Sequence, residues 1–332
     1  MRSVYAVTDP AECRALWDRV IPQEQLSDVW EVRDCFQRHY GHRPHFVVCE
    51  DEHGICGFLP LSWNSETESF VYFPGETWSG KTWLEQNRLI AGDKNALKSM
   101  LNLVPGAYHL RYLRSSGWTN GSEPTVDEIG YHFLPPRYGF DLENYFHEFS
   151  GKSAKRLKKE IATIEAQGVE YVYDDASDFE TMVALNIKRY ETWSYFVDPR
   201  FLRGFRSLRQ LLSARGWLRM TTVRIGGQVA AVDMGCVFNG TYTLLAGGTN
   251  PEVRGVAKLI NLHHMEWACR QRLERVDFLC GDFNWKTLFH LTPQPLYLLA
   301  GQGVAPKQRP QLPSGYLRPS RVAYAEGDAN RV

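Results

Sequence analysis

The chain has no net charge, no membrane-length apolar run, no paired cysteine motif and no low-complexity tract. Each absence removes a class of function. Lysine plus arginine and aspartate plus glutamate balance at 38 each in 332 residues. The whole molecule therefore shows no bias toward nucleic acid or membrane, and any such partner must be met by a local patch. No stretch approaches the ~18 apolar residues of a membrane helix, and the polar first ten residues hold no apolar signal core. The seven cysteines, at 13, 35, 49, 56, 236, 269 and 280, are odd in number and form no Cys-x-x-Cys pair. They read as reduced thiols of a cytoplasmic protein, and no metal site is expected. No internal repeat is evident by identity.

What is present is a sequence of well-marked elements. Apolar content of 43% and charged content of 23% suit a soluble globular protein, and the length suffices for two domains. Asp9-Pro10 marks a helix start, and a second helix is expected over 29–40. A hairpin follows at 45–49 and 55–61, then strands at 69–73, 109–113 and 129–133. Pro135-Pro136 is the expected domain boundary. Residues 75–82, Gly-Glu-Thr-Trp-Ser-Gly-Lys-Thr, spell the phosphate-loop pattern. That reading needs a strand before and a helix after. Glu76 and Trp78 argue against a phosphate cradle, so an ordinary loop is favoured and an NTPase is a lesser alternative.

The second half opens with a helix over 152–167. Lys152, Lys155, Arg156 and Lys159 share one face and Leu157, Ile161 and Ile164 the opposite one, with Gly168 as the stop. The basic face is either simply solvated or a phosphate-contacting patch, with Lys155 and Lys159 as its contacts. A strand at 169–173, two helices, and a meander over 217–224, 229–238 and 241–247 follow, turning at Gly226-Gly227 and Asn239-Gly240. Next come a small-residue turn, Arg254-Gly255-Val256-Ala257-Lys258, an apolar helix over 256–272 and a strand at 276–280. A helix opening on such a turn presents free N–H groups and a positive dipole end to an anion. Asp233, a carboxylate among apolar strand neighbours, and Asp282, just past a strand end, are the candidate catalytic groups. Lys286 is a candidate for neutralising a phosphate or substrate. Tyr190 and Trp193 are candidate walls of an acceptor cleft.

This order resembles the GNAT acyltransferase superfamily, and more narrowly its two-domain Fem-type and cellulose-biosynthesis-type branch. The residues that carry the resemblance are the basic helix ending Glu165-Ala166-Gln167-Gly168, the hairpin Gly226-Gly227-Gln228-Val229-Ala230-Ala231, the strand ending Gly247-Gly248-Thr249, the turn at Arg254-Gly255, and Phe278-Leu279-Cys280-Gly281-Asp282 followed by Trp285-Lys286. The resemblance implies an α+β fold of tandem GNAT-like domains, with mixed, mostly antiparallel sheets flanked by helices. The expected domains are 1–136 and 137–305, with a poorly ordered tail over 306–332.

The resemblance also implies an acyl-CoA donor held at 254–258 and transfer to an amine, or a hydroxyl, of a small-molecule or envelope acceptor. It implies a carrier lying between strands 229–238 and 241–247, with a backbone N–H of the first receiving the carbonyl oxygen. The family's loop usually opens with arginine or glutamine, where Glu252 stands here. That departure suits a different carrier, aminoacyl-tRNA, which would meet the basic helix. A non-catalytic binding module is a further alternative.

Overall fold

The computed structural model describes residues 2–78, 81–115, 125–175, 177–281 and 284–303. Helix starts follow local chemistry. Asp9 accepts from the Ala11 and Glu12 N–H groups and opens α1 (Pro10–Val20), while Asp198 caps α7 (Pro199–Ala214) in the same way. Both helices carry proline in the first turn, where its missing N–H costs nothing.

The elements fall into two units with one order. The first runs β1 (Ser3–Val7), α1, α2 (Trp30–Tyr40), β2 (Arg43–Asp51), β3 (Gly54–Asn64), β4 (Ser69–Tyr72), the short β5 (Ile90–Ala91), α3 (Lys94–Leu103), β6 (Ala107–Leu113) and β7 (Thr125–Phe133). The second follows a linking stretch with α4 (Leu142–Tyr145) and α5 (Gly151–Glu165). It runs β8 (Val169–Tyr173), α6 (Asp178–Tyr190), α7, β9 (Leu218–Ile225), β10 (Gln228–Phe238), β11 (Thr241–Thr249), α8 (Val256–Arg270), β12 (Arg275–Asp277), α9 (Asn284–Leu288) and β13 (Thr292–Gln302). The repeat invisible by identity is thus present in the architecture.

One 13-stranded sheet joins the units, in the order β1-β2-β3-β4-β6-β13-β7-β12-β11-β10-β9-β8, with β5 beside β3. The last strand of each unit is exchanged. β13 pairs with β6 of the first unit, and β7 pairs with β12 of the second. The sheet therefore runs unbroken past Pro135-Pro136, which form a one-turn 3-10 helix over Pro135–Tyr138. The core crosses between units as well: Phe36 of α2 packs on Phe201 and Phe205 of α7. Gly204 permits that approach, since a Cβ there would lie 2.7 Å from the Phe36 ring.

The phosphate-loop reading fails on this fold. Among the described residues after Gly75, no helix forms until α3 at Lys94, beyond β5. The amides of Trp83 and Leu84 bond the Glu76 side chain. The chain's own carboxylate thus takes N–H groups that a phosphate would need.

Candidate functional site

The sheet has two parallel strand pairs, and each is short. In the second unit β11 and β12 pair only from Thr241↔Arg275 to Thr243↔Asp277, after which β11 continues alone to Thr249. The opening is therefore between β11 and β12. The expected gap between 229–238 and 241–247 does not exist, because β10 and β11 are paired from Phe238↔Thr241 to Ala231↔Thr249. The cause is the two-residue Asn239-Gly240 turn, both residues at positive φ, which locks its strands into a hairpin. A pair joined through a helical crossover is free to diverge. β10 also pairs with β9 on its other side, so its amides are committed. β11 instead carries an extra residue, Leu245, between the pairs Met234↔Ala246 and Gly235↔Leu244. Such a bulge leaves the extra residue outside the ladder.

Past the end of β11 the chain turns into α8. Gly255 is its N-cap, at φ 81 and without a side-chain cap. The N–H groups of the first turn, at Val256 and Ala257, have no intrahelical acceptor. Arg254 and Ala257 are exposed and Val256 is buried. The turn is not bare, however. Ile164 and Glu160 of α5 lie against Gly255, and Lys258 donates to both Glu160 oxygens at 2.7 and 2.8 Å. Lys258 therefore neutralises a carboxylate that stands beside the helix entrance. Glu252 is exposed and pairs with Lys188 at 3.3 Å.

Asp233 sits elsewhere. It is 4% exposed and lies 3.0 Å from His264 Nε2 on α8, a residue with no exposure. Its neighbour across the ladder is Gly247, where a Cβ would lie 2.2 Å from the carboxylate. Asp233 thus fastens α8 to the sheet, one strand away from the open edge of β11. Lys286 is also not a solvated lysine. It is 2% exposed, and its ammonium donates to the carbonyls of Phe278, Leu279 and Cys280 at 2.7–2.9 Å. It draws the end of β12 into a tight turn, with Leu279 at φ 57 and Gly281 at φ 109. Asp282 lies outside the described residues. Asn186 of α6 donates to the Gly247 carbonyl at 2.6 Å. Tyr190, one turn further along α6, is 44% exposed. Trp193 is 73% exposed. Lys155 and Lys159 are exposed along α5 and make no ion pair among the described residues, whereas Lys158 pairs with Glu143.

The mouth of the opening holds groups that sequence reasoning missed. A cleft of about 40 Å³ is lined by Glu85, Gln86, Thr243, Leu245, Asp277 and Leu279. The first unit supplies Glu85, whose two oxygens each accept from the Cys280 N–H at 2.9 Å. Burial and the neighbouring Asp277 charge push its carboxyl up to about 7, against the Cys280 bonds and the Lys286 charge. Burial pushes the Lys286 ammonium down and the Cys280 thiol up. Asp277 is held by the Gln86 amide and the Leu279 N–H, with His132 Nε2 at 3.5 Å. Glu85 and Gln86 lie in the aperiodic stretch between β4 and α3, about 190 residues from their partners. Nothing in the sequence links positions so distant. Among the described residues no group of three or more His, Cys, Asp or Glu side chains is arranged to hold a metal ion. No described helix is long and apolar enough to cross a membrane.

Comparison with known proteins bears on the fold. Residues 151–287 match the acetyltransferase (GNAT) domain family. Three solved structures have similar folds. A conserved protein from Bacteroides thetaiotaomicron gives a TM-score of 0.56 at 13% identity, over 90% of this chain and 99% of its own. FemX gives 0.55 at 8%, over 88% and 95%. A tandem GNAT protein from the clavulanic acid biosynthesis pathway gives 0.51 at 11%, over 93% and 100%. At these identities the likeness is one of fold. The comparison with curated proteins found no match. Residues 151–287 thus match the acetyltransferase (GNAT) domain family, and the chain has the fold of the tandem GNAT proteins.

Proposed function

We propose that the chain transfers an acyl group from acyl-CoA to an amine in the gap between β11 and β12. The observation that carries this reading is the conjunction of three features: a β11 edge that loses its partner after Thr243, a helix start without a side-chain cap at Gly255, and a carboxyl poised near neutrality at Glu85. The pyrophosphate of the donor would meet the α8 amides, with Arg254 as its exposed cation. An amide released by the Leu245 bulge would receive the thioester carbonyl oxygen. Glu85 would accept the proton of the attacking amine, in a cleft from which side chains exclude much of the water. Attack is direct: the amine nitrogen bonds the acyl carbon, the C–S bond breaks, and CoA leaves as thiolate. Asp233 and Lys286 act as positioning residues, since the first fixes α8 and the second fixes the end of β12.

A second reading has its own support. Lys155 and Lys159 present unpaired charge along α5, and Glu160 stands beside the α8 entrance where a CoA pyrophosphate would otherwise lie alone. The first feature suits an aminoacyl-tRNA donor whose phosphates run along α5. Binding of acetyl-CoA and of aminoacyl-tRNA to the wild type and to the Lys155→Glu, Lys159→Glu double variant separates the two. An acyl-CoA enzyme keeps its acetyl-CoA Kd within about twofold in the variant. A tRNA enzyme loses on the order of tenfold or more, with a shallower salt dependence. Absence of acetyl-CoA binding by the wild type would sink the first reading.

A further inference from the structure

A cavity of about 340 Å³ lies beside the transfer cleft and shares Leu84 with it. It occupies the first unit, between β4 and β6, which pair in parallel only at Phe70↔Tyr108. Ser69 and Val71 line it from β4 and His109 and Arg111 from β6. Its floor is the segment that spells the phosphate-loop pattern, and the chemistry there is the reverse of a phosphate site. Glu76 is 2% exposed and lines the cavity. The Thr82 hydroxyl and the Trp83 and Leu84 amides all donate to its Oε1. Among the described residues no hydrogen bond from another residue reaches its Oε2, and burial raises the carboxyl above its ordinary range.

The nearby cations are engaged elsewhere. Arg33 donates to the Ser27 and Phe73 carbonyls and to Asn87 Oδ1. Arg111 is held by Asp127 through Nε and Nη2. The remaining polar lining includes Thr67, Ser69, Thr77, Thr82, Asn87 and His109, with the Thr67 and Ser69 hydroxyls bonded to each other and Thr77 Oγ1 accepting from Asn64. We propose that this cavity is a second ligand site, beside the transfer cleft, and that it takes a small hydroxylated amine. The ammonium would sit on Glu76 Oε2 and the hydroxyls on the Thr and Ser side chains. The volume suits a molecule of six to eight carbons. Because Glu76 also fixes the amides of Trp83 and Leu84, the site adjoins the segment that presents Glu85 to the other cleft.

Calorimetric titration of the full chain with D-glucamine and D-sorbitol, which differ by one amine for hydroxyl, tests the assignment. A charge-assisted bond to Glu76 should make glucamine bind at least about tenfold more tightly. Glu76→Gln keeps an oxygen for the two amides and should bring the two ligands within about twofold of each other. Ser69→Tyr fills the cavity from β4 with Glu76 intact and should abolish glucamine binding. Equal affinities in the wild type, no binding of either ligand, or a glucamine preference that survives both substitutions would overturn the proposal.

Discussion

In the first unit α3 begins under Asp93, whose carboxylate accepts from the Ala96 N–H and pairs with Arg2. In the second unit α8 begins at Gly255, with no side chain on its amides. The two helices occupy the same place in their units, each bridging a parallel strand pair that diverges. One helix start is capped by an anion of the chain itself; the other has no side-chain cap, and the carboxylate beside it, Glu160, is paired with Lys258. The strand gaps differ in the opposite sense. The first unit holds a cavity of about 340 Å³, while the cleft of about 40 Å³ at the second gap is lined from both units, residues 25–32 and 83–86 of the first among them. On the proposed reading, one cleft would hold the anion and take a proton acceptor from its neighbour, while the other keeps the room.

That comparison can be broken by substitution. The largest effect is expected at Glu85. Glu85→Gln should lower kcat/KM on acetyl-CoA and a reactive amine by about 10²-fold or more, with acetyl-CoA affinity retained. The pH profile gives the sign. Only the ionised carboxylate accepts a proton, and its pKa is raised to about 7. The wild-type kcat/KM should therefore fall about tenfold per unit below pH 7 and level off above it, while the variant loses this inflection. Wild-type activity that stays level down to pH 5 would remove Glu85 from the mechanism. A smaller effect is expected at the helix start. Ala257→Glu places a carboxylate in the first turn of α8, as Asp93 does for α3. It should weaken acetyl-CoA binding by roughly tenfold, while the favourable dipole interaction raises stability by about 0.5 kcal/mol. The smallest is the mirror change. Asp93→Ala should cost about 1 kcal/mol of stability through the lost cap and leave acetyl-CoA affinity within about twofold. A gain of donor binding there would show that the first cleft is not closed by its cap.

Much of the scaffold was legible in the sequence because its signals are local. Asp9-Pro10 and Asp198-Pro199 open helices, Asn239-Gly240 makes a tight hairpin, and Gly255 starts an uncapped helix. The misplaced cleft has an equally physical origin. Strand periodicity says which residues are strands and which face they use, but not which neighbour each strand takes. The exchange of β7 and β13 and the early parting of β11 from β12 are decisions of pairing, and a single sequence does not carry them. The surroundings of charged residues are equally non-local. Asp233 and Lys286 read as candidate chemistry in the sequence, and the structure gives the first His264 as its partner and the second three enclosing carbonyls. The burial of a charge depends on partners supplied from elsewhere in the chain. Glu85 shows the converse, an unremarkable loop carboxylate that gains its meaning only when the second unit closes over it.

The most direct test is hydrogen–deuterium exchange of the full chain with and without acetyl-CoA. Donor binding in the second cleft predicts slowed exchange over 244–249 and 255–258, with 69–77 and 107–113 unchanged. Protection confined to the β4 and β6 segments, or none at the α8 start, would contradict the account.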